Sequence, residues 1–347
     1  MTLSKPYTQN HLDFDSAAQE TALDISHELR TPLTAIQGAL DLLDSGRLGL
    51  LTEQGQRMVS IAASNVERLM RLTTTIEQEP NTIFNLVSPE ELARLRLETE
   101  LRSAVAHGEL RLHYQPLVSL ATCQINGFEA LLRWQHPTLG LLAPTEFISI
   151  AEASGSILEI GLWVLREACH QLYQWQQQFP DRFGNLSVSV NLSSRQLTCI
   201  DLAAQIDQVL QETGLAAEFL KLEITETAAM NNAEVGKNVL HQLRSLGVQL
   251  YIDDFGTGYS SLNRLYDLPL DVLKIDRSFV QQLDSERGEY LVRAIANLAR
   301  SLGIDVIAEG VETQEQVLKL QSLGCYRGQG YFFAKPLNSE AVVQLLC

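Results

Sequence analysis

The sequence predicts an α/β chain in which a barrel of alternating strands and helices follows a helical hairpin. Three observations carry this expectation. From Gly108 onward, short β-rich runs alternate with helical stretches. Carboxylates recur toward the ends of those runs. Upstream, the apolar residues follow helical spacing instead.

The first helix is read over residues 22–44. Ile25, Leu29, Leu33, Ile36, Leu40 and Leu43 recur three or four apart, which aligns them as one stripe. Ser45-Gly46-Arg47-Leu48-Gly49 supplies a turn. A second stripe follows through Met58, Ile61 or Ala62, Asn65 or Val66, Leu69, Leu72 and Ile76. Such a hairpin has one apolar face and too little core to stand alone. Self-pairing into a four-helix bundle is the expected way to cover that face. Pro80 and Asn81 break the pattern. Ser88-Pro89-Glu90-Glu91 then reads as the N-cap, first residue and first turn of another helix, which runs to about His107-Gly108.

Strands are expected near residues 110–118, 125–134, 186–192, 220–225, 249–253, 272–275, 306–308 and 330–333. Helices over residues 158–178, 202–213, 233–246, 290–302 and 314–323 fill most gaps. Eight strands with intervening helices fit a closed barrel better than an open sheet. The first two strands are separated only by the segment from Ser119 to Gln124, too short for a helix, so that pair is expected to be antiparallel.

Composition narrows the function classes. Hydrophobic residues make up 45% and charged residues 20% of the chain, which excludes wholesale disorder. No apolar run approaches the ~18 residues of a bilayer span, and residues 1–10 lack the apolar stretch of a secretory signal. No membrane insertion is expected. The cysteines Cys123, Cys169, Cys199, Cys325 and Cys347 are odd in number, scattered and without a C-x-x-C pair. That argues against a disulfide framework or zinc ribbon and fits a reducing cytoplasm. The net charge of -16 is spread along the chain and would repel a nucleic-acid backbone. A small phosphate ligand remains open, because a few local cations or a metal can neutralise it.

Glu129, Asn191, Glu223, Asp253 with Asp254, and Glu309 each belong to a different expected strand or to the residues just after it. In a barrel those strand ends converge on one mouth. Oxygen donors from several strands, with no His or Cys among them, suit a hard cation such as Mg²⁺ or Mn²⁺. Any single carboxylate could merely cap the barrel; their arrival in phase is what marks a site. Lys274 and Asp276 share a strand face. The lysine is either a counter-charge or a group that holds or deprotonates a reacting water. Asp253-Asp254-Phe255-Gly256-Thr257-Gly258-Tyr259-Ser260-Ser261 leaves its strand into a glycine- and hydroxyl-rich loop without the lysine of a P-loop. In Glu309-Gly310-Val311-Glu312 the first acid suits ligation and the second could fix a loop by hydrogen bonding.

Glu129-Ala130-Leu131, within Gly127-Phe128-Glu129-Ala130-Leu131-Leu132-Arg133-Trp134, resembles the signature of the EAL family of cyclic di-GMP phosphodiesterases. So do Tyr114-Gln115-Pro116, Asn191-Leu192-Ser193, Glu223-Ile224-Thr225-Glu226, the aspartate-pair loop, Lys274-Ile275-Asp276, the Glu309 to Glu312 turn and Gln329-Gly330-Tyr331. These motifs stand in family order from about residue 94 onward. The resemblance implies a modified TIM (β/α)8 barrel with an antiparallel first strand. It also implies hydrolysis of one phosphodiester of cyclic di-GMP to linear 5′-phosphoguanylyl-guanosine at a two-metal site holding Mg²⁺ or Mn²⁺. Glu129, Asn191, Glu223, Asp253, Asp254 and Glu309 would be the metal ligands. Lys274 would position the attacking water, Glu312 would brace the aspartate-pair loop, and Gln329 would sit by the water or phosphate. Gln115, Arg133 and Asp276 would contact substrate.

Ser26-His27-Glu28-Leu29-Arg30-Thr31-Pro32-Leu33 resembles the phosphoacceptor box of sensor histidine kinases, and the two stripes resemble their dimerisation hairpin. The resemblance implies that His27 carries phosphate, with Glu28 assisting transfer, and that Pro32 is tolerated as a kink. No segment resembles the kinase ATP-binding domain, so phosphate would come from a partner histidine kinase or a receiver domain. The chain is thus divided into a tail (1–19), a dimerisation and phosphoacceptor hairpin (20–79), a linker (80–93) and a phosphodiesterase barrel (94–347). Three readings follow: a metal-dependent phosphodiesterase regulated by its hairpin, a barrel that senses cyclic di-GMP without cutting it, and a phosphotransfer protein with an ancillary barrel. The first is preferred, because every expected ligand position is filled.

Overall fold

The structure, a computed structural model, describes residues 28–43, 53–78, 89–231, 235–257 and 265–346. His27, the tail, the hairpin turn, most of the linker and the loop residues 258–264 lie outside that set. The chain divides into two units, Met1–Arg96 and Leu97–Cys347.

The first unit holds α1 (28–43) and α2 (Glu53–Gln78). α1 continues through Pro32. Leu33 on α1 and Val66 on α2 are buried, whereas Leu29, Ile36 and Leu69 of the same stripes are largely exposed. Polar side chains bond along the rest of α1, as in the Gln37 Nε2 donation to Asp41 Oδ1 at 3.0 Å.

α3 (Pro89–Ala104) leads into the second unit, where Leu101 and Ala104 are buried. β1 (Leu110–Ser119) and β2 (Ile125–His136) follow, then β3 (Gly140–Leu142), α4 (Pro144–Ser154), α5 (Ile157–Gln178), α6 (Pro180–Phe183), β4 (Ser187–Leu192) and α7 (Leu202–Thr213). The chain continues with β5 (Leu220–Thr225), α8 (Glu226–Asn231), α9 (Val235–Ser245), β6 (Gln249–Phe255), β7 (Val272–Ile275), α10 (Arg277–Val280) and α11 (Glu286–Leu302). It ends with β8 (Asp305–Ala308), α12 (Gln314–Ser322), β9 (Arg327–Gly328) and α13 (Ser339–Leu346).

The described strands pair in the order β1-β9-β8-β7-β6-β5-β4-β2-β3, and β1 also pairs β2. Eight strands therefore close a barrel, with β3 appended to β2. β1 and β2 are antiparallel, as the short connection required, in register from Leu110 opposite Trp134 to Val118 opposite Ile125. β2 through β8 pair in parallel around the rest of the wall, apart from the β3 appendage. Outward-facing Val188, Val190, Leu220, Leu222, Leu250 and Ile252 are buried beneath the helices. On the β1–β2 side Tyr114 meets Trp175 of α5 edge-on, with ring centroids 4.9 Å apart.

The inward positions form layers. Leu117, Tyr251, Val272 and Ile307, contributed by β1, β6, β7 and β8, make a small apolar cluster of their own. Two residues further along β6, β7 and β8 stand Asp253, Lys274 and Glu309. Because side chains alternate along a strand, the cluster is a plug immediately beneath the layer that carries the carboxylates.

The last strand departs from expectation. Residues 331–333 form a turn, and the barrel is closed by the two residues of β9, which pair with β1 on one side and β8 on the other. Tyr331 and Phe332 mimic a strand in sequence, yet both are exposed. Gly330 abuts the Val311 backbone so closely that a Cβ there would lie 2.1 Å from its carbonyl oxygen. The sequence reading also passed over β3, α4 and α13, whose apolar faces are short.

Candidate active site

Lys274 is the hub of the inward carboxylates. It lies on β7, a strand buried along its whole length, and its side chain is fully enclosed. Its Nζ sits 2.5 Å from Glu223 Oε2, 2.6 Å from Glu309 Oε1, 3.0 Å from Asp253 Oδ1 and 3.6 Å from Glu129 Oε2. These acids come from β5, the residue after β8, β6 and β2. Glu129 is only the fifth residue of the long β2, but pairing with β4 ends at Ala130, so Glu129 stands near the barrel's true rim.

Two amides complete this layer. Gln329 Nε2 donates to Glu129 Oε2 at 2.7 Å and to Glu309 Oε1 at 3.0 Å. Asn191 Nδ2 donates to Glu129 Oε1 at 2.8 Å. Glu223 Oε1 and Gln329 Oε1 are buried without a hydrogen-bond partner among the described residues. Asp253 Oδ1 lies within ion-pair distance of Lys274 but lacks hydrogen-bond alignment.

Asp253 and Asp254 occupy an irregularity where the β6–β7 register shifts between Ile252 and Phe255. Asp254 takes φ 53, a left-handed conformation that aspartate tolerates better than most residues. Carboxylate oxygens of Asp253, Asp254 and Glu309 lie within 4.8 Å of one another, close enough to share a cation.

The electrostatics follow from one ammonium serving many acids. Burial alone would lower the Lys274 pKa, but Asp253, Glu129, Glu223 and Glu309 outweigh it and hold it well above its ordinary value. Burial opposes ionisation of Glu129 too, but Lys274 and the two amides reverse the effect and bring its carboxyl below the usual range. Glu223 is pushed the other way by burial and by the charge of Glu129. Glu309 rises to about 8, chiefly through burial. Asp254, at the more open edge, rises to about 6 through burial and the neighbouring charges of Asp253 and Asp276. Ionising Glu129, Glu223, Asp253, Asp254 and Glu309 together against Lys274 would leave four uncompensated negative charges. Orphaned buried oxygens and an all-oxygen donor set fit a divalent cation.

Gln115, Glu309, Gly310, Glu312, Gln329 and Tyr331 line a cleft of about 160 Å³ at the same rim, with Arg277. Gln115 is buried and donates to Ala334 O at 3.3 Å. Arg133 is half-buried and donates to Leu132 O at 2.7 Å. Asp276 caps α10, accepting from Ser278 N at 3.0 Å. Residues 258–264, most of the loop that Glu312 is expected to brace, lie outside the described residues; at the start of that loop the contact is made by Glu226. Glu226 is buried and accepts from Gly256 N at 2.7 Å, while Glu312 is exposed. Glu226 is the first residue of α8, directly after β5, and the sequence alone assigns it no role.

Comparisons with known proteins identify the family. Residues 98–336 match the EAL domain family, and residues 17–79 match the His Kinase A (phospho-acceptor) domain. A cyclic di-GMP phosphodiesterase, NbdA of Pseudomonas aeruginosa, is 45% identical over 253 residues, covering 73% of this chain and 32% of that protein. The chain thus spans about a third of that relative's length. Among solved structures, the PaMucR phosphodiesterase in complex with c-di-GMP is 41% identical with a TM-score of 0.68, covering 71% of this chain and 99% of that one. The EAL enzyme Bd1971, bound to cAMP and cyclic di-GMP, is 36% identical with a TM-score of 0.73, covering 86% and 80%.

Proposed function

The chain belongs to the EAL domain family, and on that premise we propose that it hydrolyses one phosphodiester of cyclic di-GMP to linear 5′-phosphoguanylyl-guanosine. One observation supports this above the others: buried carboxylates from four barrel strands meet at Lys274 with an excess of negative charge. Two divalent cations, Mg²⁺ or Mn²⁺, would match the four uncompensated charges of the ionised cluster.

Glu129, Asn191, Glu223, Asp253, Asp254 and Glu309 would hold the cations, which when bound supply charge neutralisation at the scissile phosphate and acidify water. Lys274, protonated among its acids, donates a hydrogen bond that orients the attacking water and cannot serve as the base in that state. One of the surrounding carboxylates takes the proton as the water oxygen attacks phosphorus, the bond from phosphorus to the ribose oxygen breaks, and that oxygen leaves as the alcohol with a proton returned from the carboxyl. Gln329 holds Glu129 and Glu309 together through its amide nitrogen and faces the water or phosphate. Gln115, Arg133 and Asp276 contact the dinucleotide, Glu226 keeps the start of the aspartate-pair loop seated, and Glu312 braces that loop.

The hairpin of residues 20–79 would pair two copies and regulate the barrel of residues 94–347 across the linker of residues 80–93. His27 would receive phosphate from a partner histidine kinase or receiver domain, in the cytoplasm. No described helix is long and apolar enough to cross a membrane.

The test is incubation of the purified chain with cyclic di-GMP and Mg²⁺ or Mn²⁺, with chromatography of the products. Linear dinucleotide that disappears with chelator and with Glu129→Ala supports the proposal. Tight binding of intact cyclic di-GMP without turnover under both metals sinks it in favour of a sensor.

A further inference from the structure

The other end of the barrel carries a second polar cavity. It has a volume of about 800 Å³, a size common among pockets that enclose small molecules. Its roof is the apolar plug of Leu117, Tyr251, Val272 and Ile307, so it is separated from the carboxylate layer. Its walls are the starts of the strands, where Lys221, Arg244 and Arg327 converge with Asn126, Ser187 and Gln249.

The charges around it are unevenly satisfied. Asp271 is fully occupied: Oδ1 pairs with Arg244 Nη2 at 2.8 Å and Oδ2 accepts from Leu250 N at 2.9 Å. Asp305 Oδ2 pairs with Arg327 Nη2 at 3.1 Å. Lys221 is left over. It is 7% exposed, its Nζ donates to the Glu218 carbonyl oxygen, and no carboxylate lies within ion-pair distance of it among the described residues. An ammonium has three N–H donors, so two lack a protein acceptor there. Arg244 and Arg327 each keep guanidinium N–H groups uncommitted beside the same space. Burial brings the Lys221 pKa down to about 8 although Asp271 and Glu218 act to raise it, and its two spare N–H donors still call for acceptors. The missing component is an oxyanion, and planar guanidinium forks flanking a point charge suit phosphate oxygens in particular.

We propose that this cavity binds a small phosphate-bearing anion through Lys221, Arg244 and Arg327, as a ligand site distinct from the carboxylate cluster across the plug. Glu218, Asp271 and Asp305 match these three cations in number, so the site favours an anion of low charge.

Inorganic phosphate is the probe, used on the full chain in chelator, with ionic strength matched by sodium chloride. Lys221 is labelled with an acylating reagent and quantified by peptide mass spectrometry. At a ligand concentration of ten times Kd, labelling of Lys221 falls roughly tenfold while that of exposed Lys335 is unchanged. Phosphate also raises the thermal midpoint of the wild type and of Glu309→Gln, but not of Lys221→Met. Undiminished labelling of Lys221 overturns the proposal, whether or not the variant folds. A thermal shift that survives in Lys221→Met, or vanishes in Glu309→Gln, also overturns it, because the anion would then sit elsewhere.

Discussion

Replacing Lys274 with methionine keeps the length of the side chain and removes its charge. Four carboxylates then lose an ammonium that stands between 2.5 and 3.6 Å from them. The side chains of Lys274 and Glu223 are fully buried, so water does not screen the loss. Deleting one partner of a buried ion pair costs ~3–5 kcal/mol. For a domain of this size that is a fall of roughly 6–20 °C in the unfolding midpoint. Acid should relieve it. Glu309 has its pKa raised by burial to about 8, so the folded state holds that proton more readily than the unfolded chain does. Its contribution to stability is complete below the unfolded value of 4.5 and is lost as pH rises through about 8. Protonated carboxyls need no ammonium, so the gap between Lys274→Met and wild type is widest near pH 8 and narrows toward pH 5. The assay is thermal unfolding in chelator across that range, repeated with millimolar Mg²⁺, alongside chromatography of cyclic di-GMP. The cation should recover much of the lost midpoint, while turnover stays down by ~100-fold or more. Equal midpoints for the two proteins in chelator at pH 8, or a gap that widens toward pH 5, would refute the reasoning.

Other outcomes follow from the same geometry. Glu226→Ala leaves the Gly256 N–H without its acceptor, a loss of about 1–3 kcal/mol local to the loop; turnover should fall about tenfold with little change in the global midpoint. Asp254→Asn keeps a residue type that accepts the left-handed backbone but offers a weaker ligand. Its melting curve should match wild type while the Mg²⁺ concentration for half-maximal activity rises about tenfold or more. Cation binding should release protons between pH 6 and 8, because Asp254 and Glu309 are pushed up to about 6 and about 8 by burial. Calorimetry in buffers of different ionisation enthalpy measures this, and an enthalpy independent of buffer contradicts it. Gly310→Ala places a Cβ 2.5 Å from that of Arg277 at φ +68, and should destabilise by about 2 kcal/mol or more in chemical denaturation.

Where a strand is buried on both faces its residues could be read directly. Leu220–Thr225 and Val272–Ile275 form as expected, since an unbroken apolar or alternating run bounded by turn residues has no competing periodicity. β9 was misread because two residues suffice to close the barrel, and nothing in Arg327-Gly328 outweighs the aromatic run after it. The carboxylates were legible as strand-end positions. That four of them meet on one lysine was not, because that depends on the stagger between strands, which sequence spacing does not encode. Lys221 could have been noticed: alternation in Leu220-Lys221-Leu222-Glu223 sends it inward with Glu223, where a cation needs a reason to be.

The cluster of Leu117, Tyr251, Val272 and Ile307 acts as a bulkhead. These four side chains stand between the carboxylate layer and the cavity at the strand starts. The two chambers can also diverge separately. A change of occupant at the base leaves the rim's ligand geometry untouched, provided those four side chains keep their bulk.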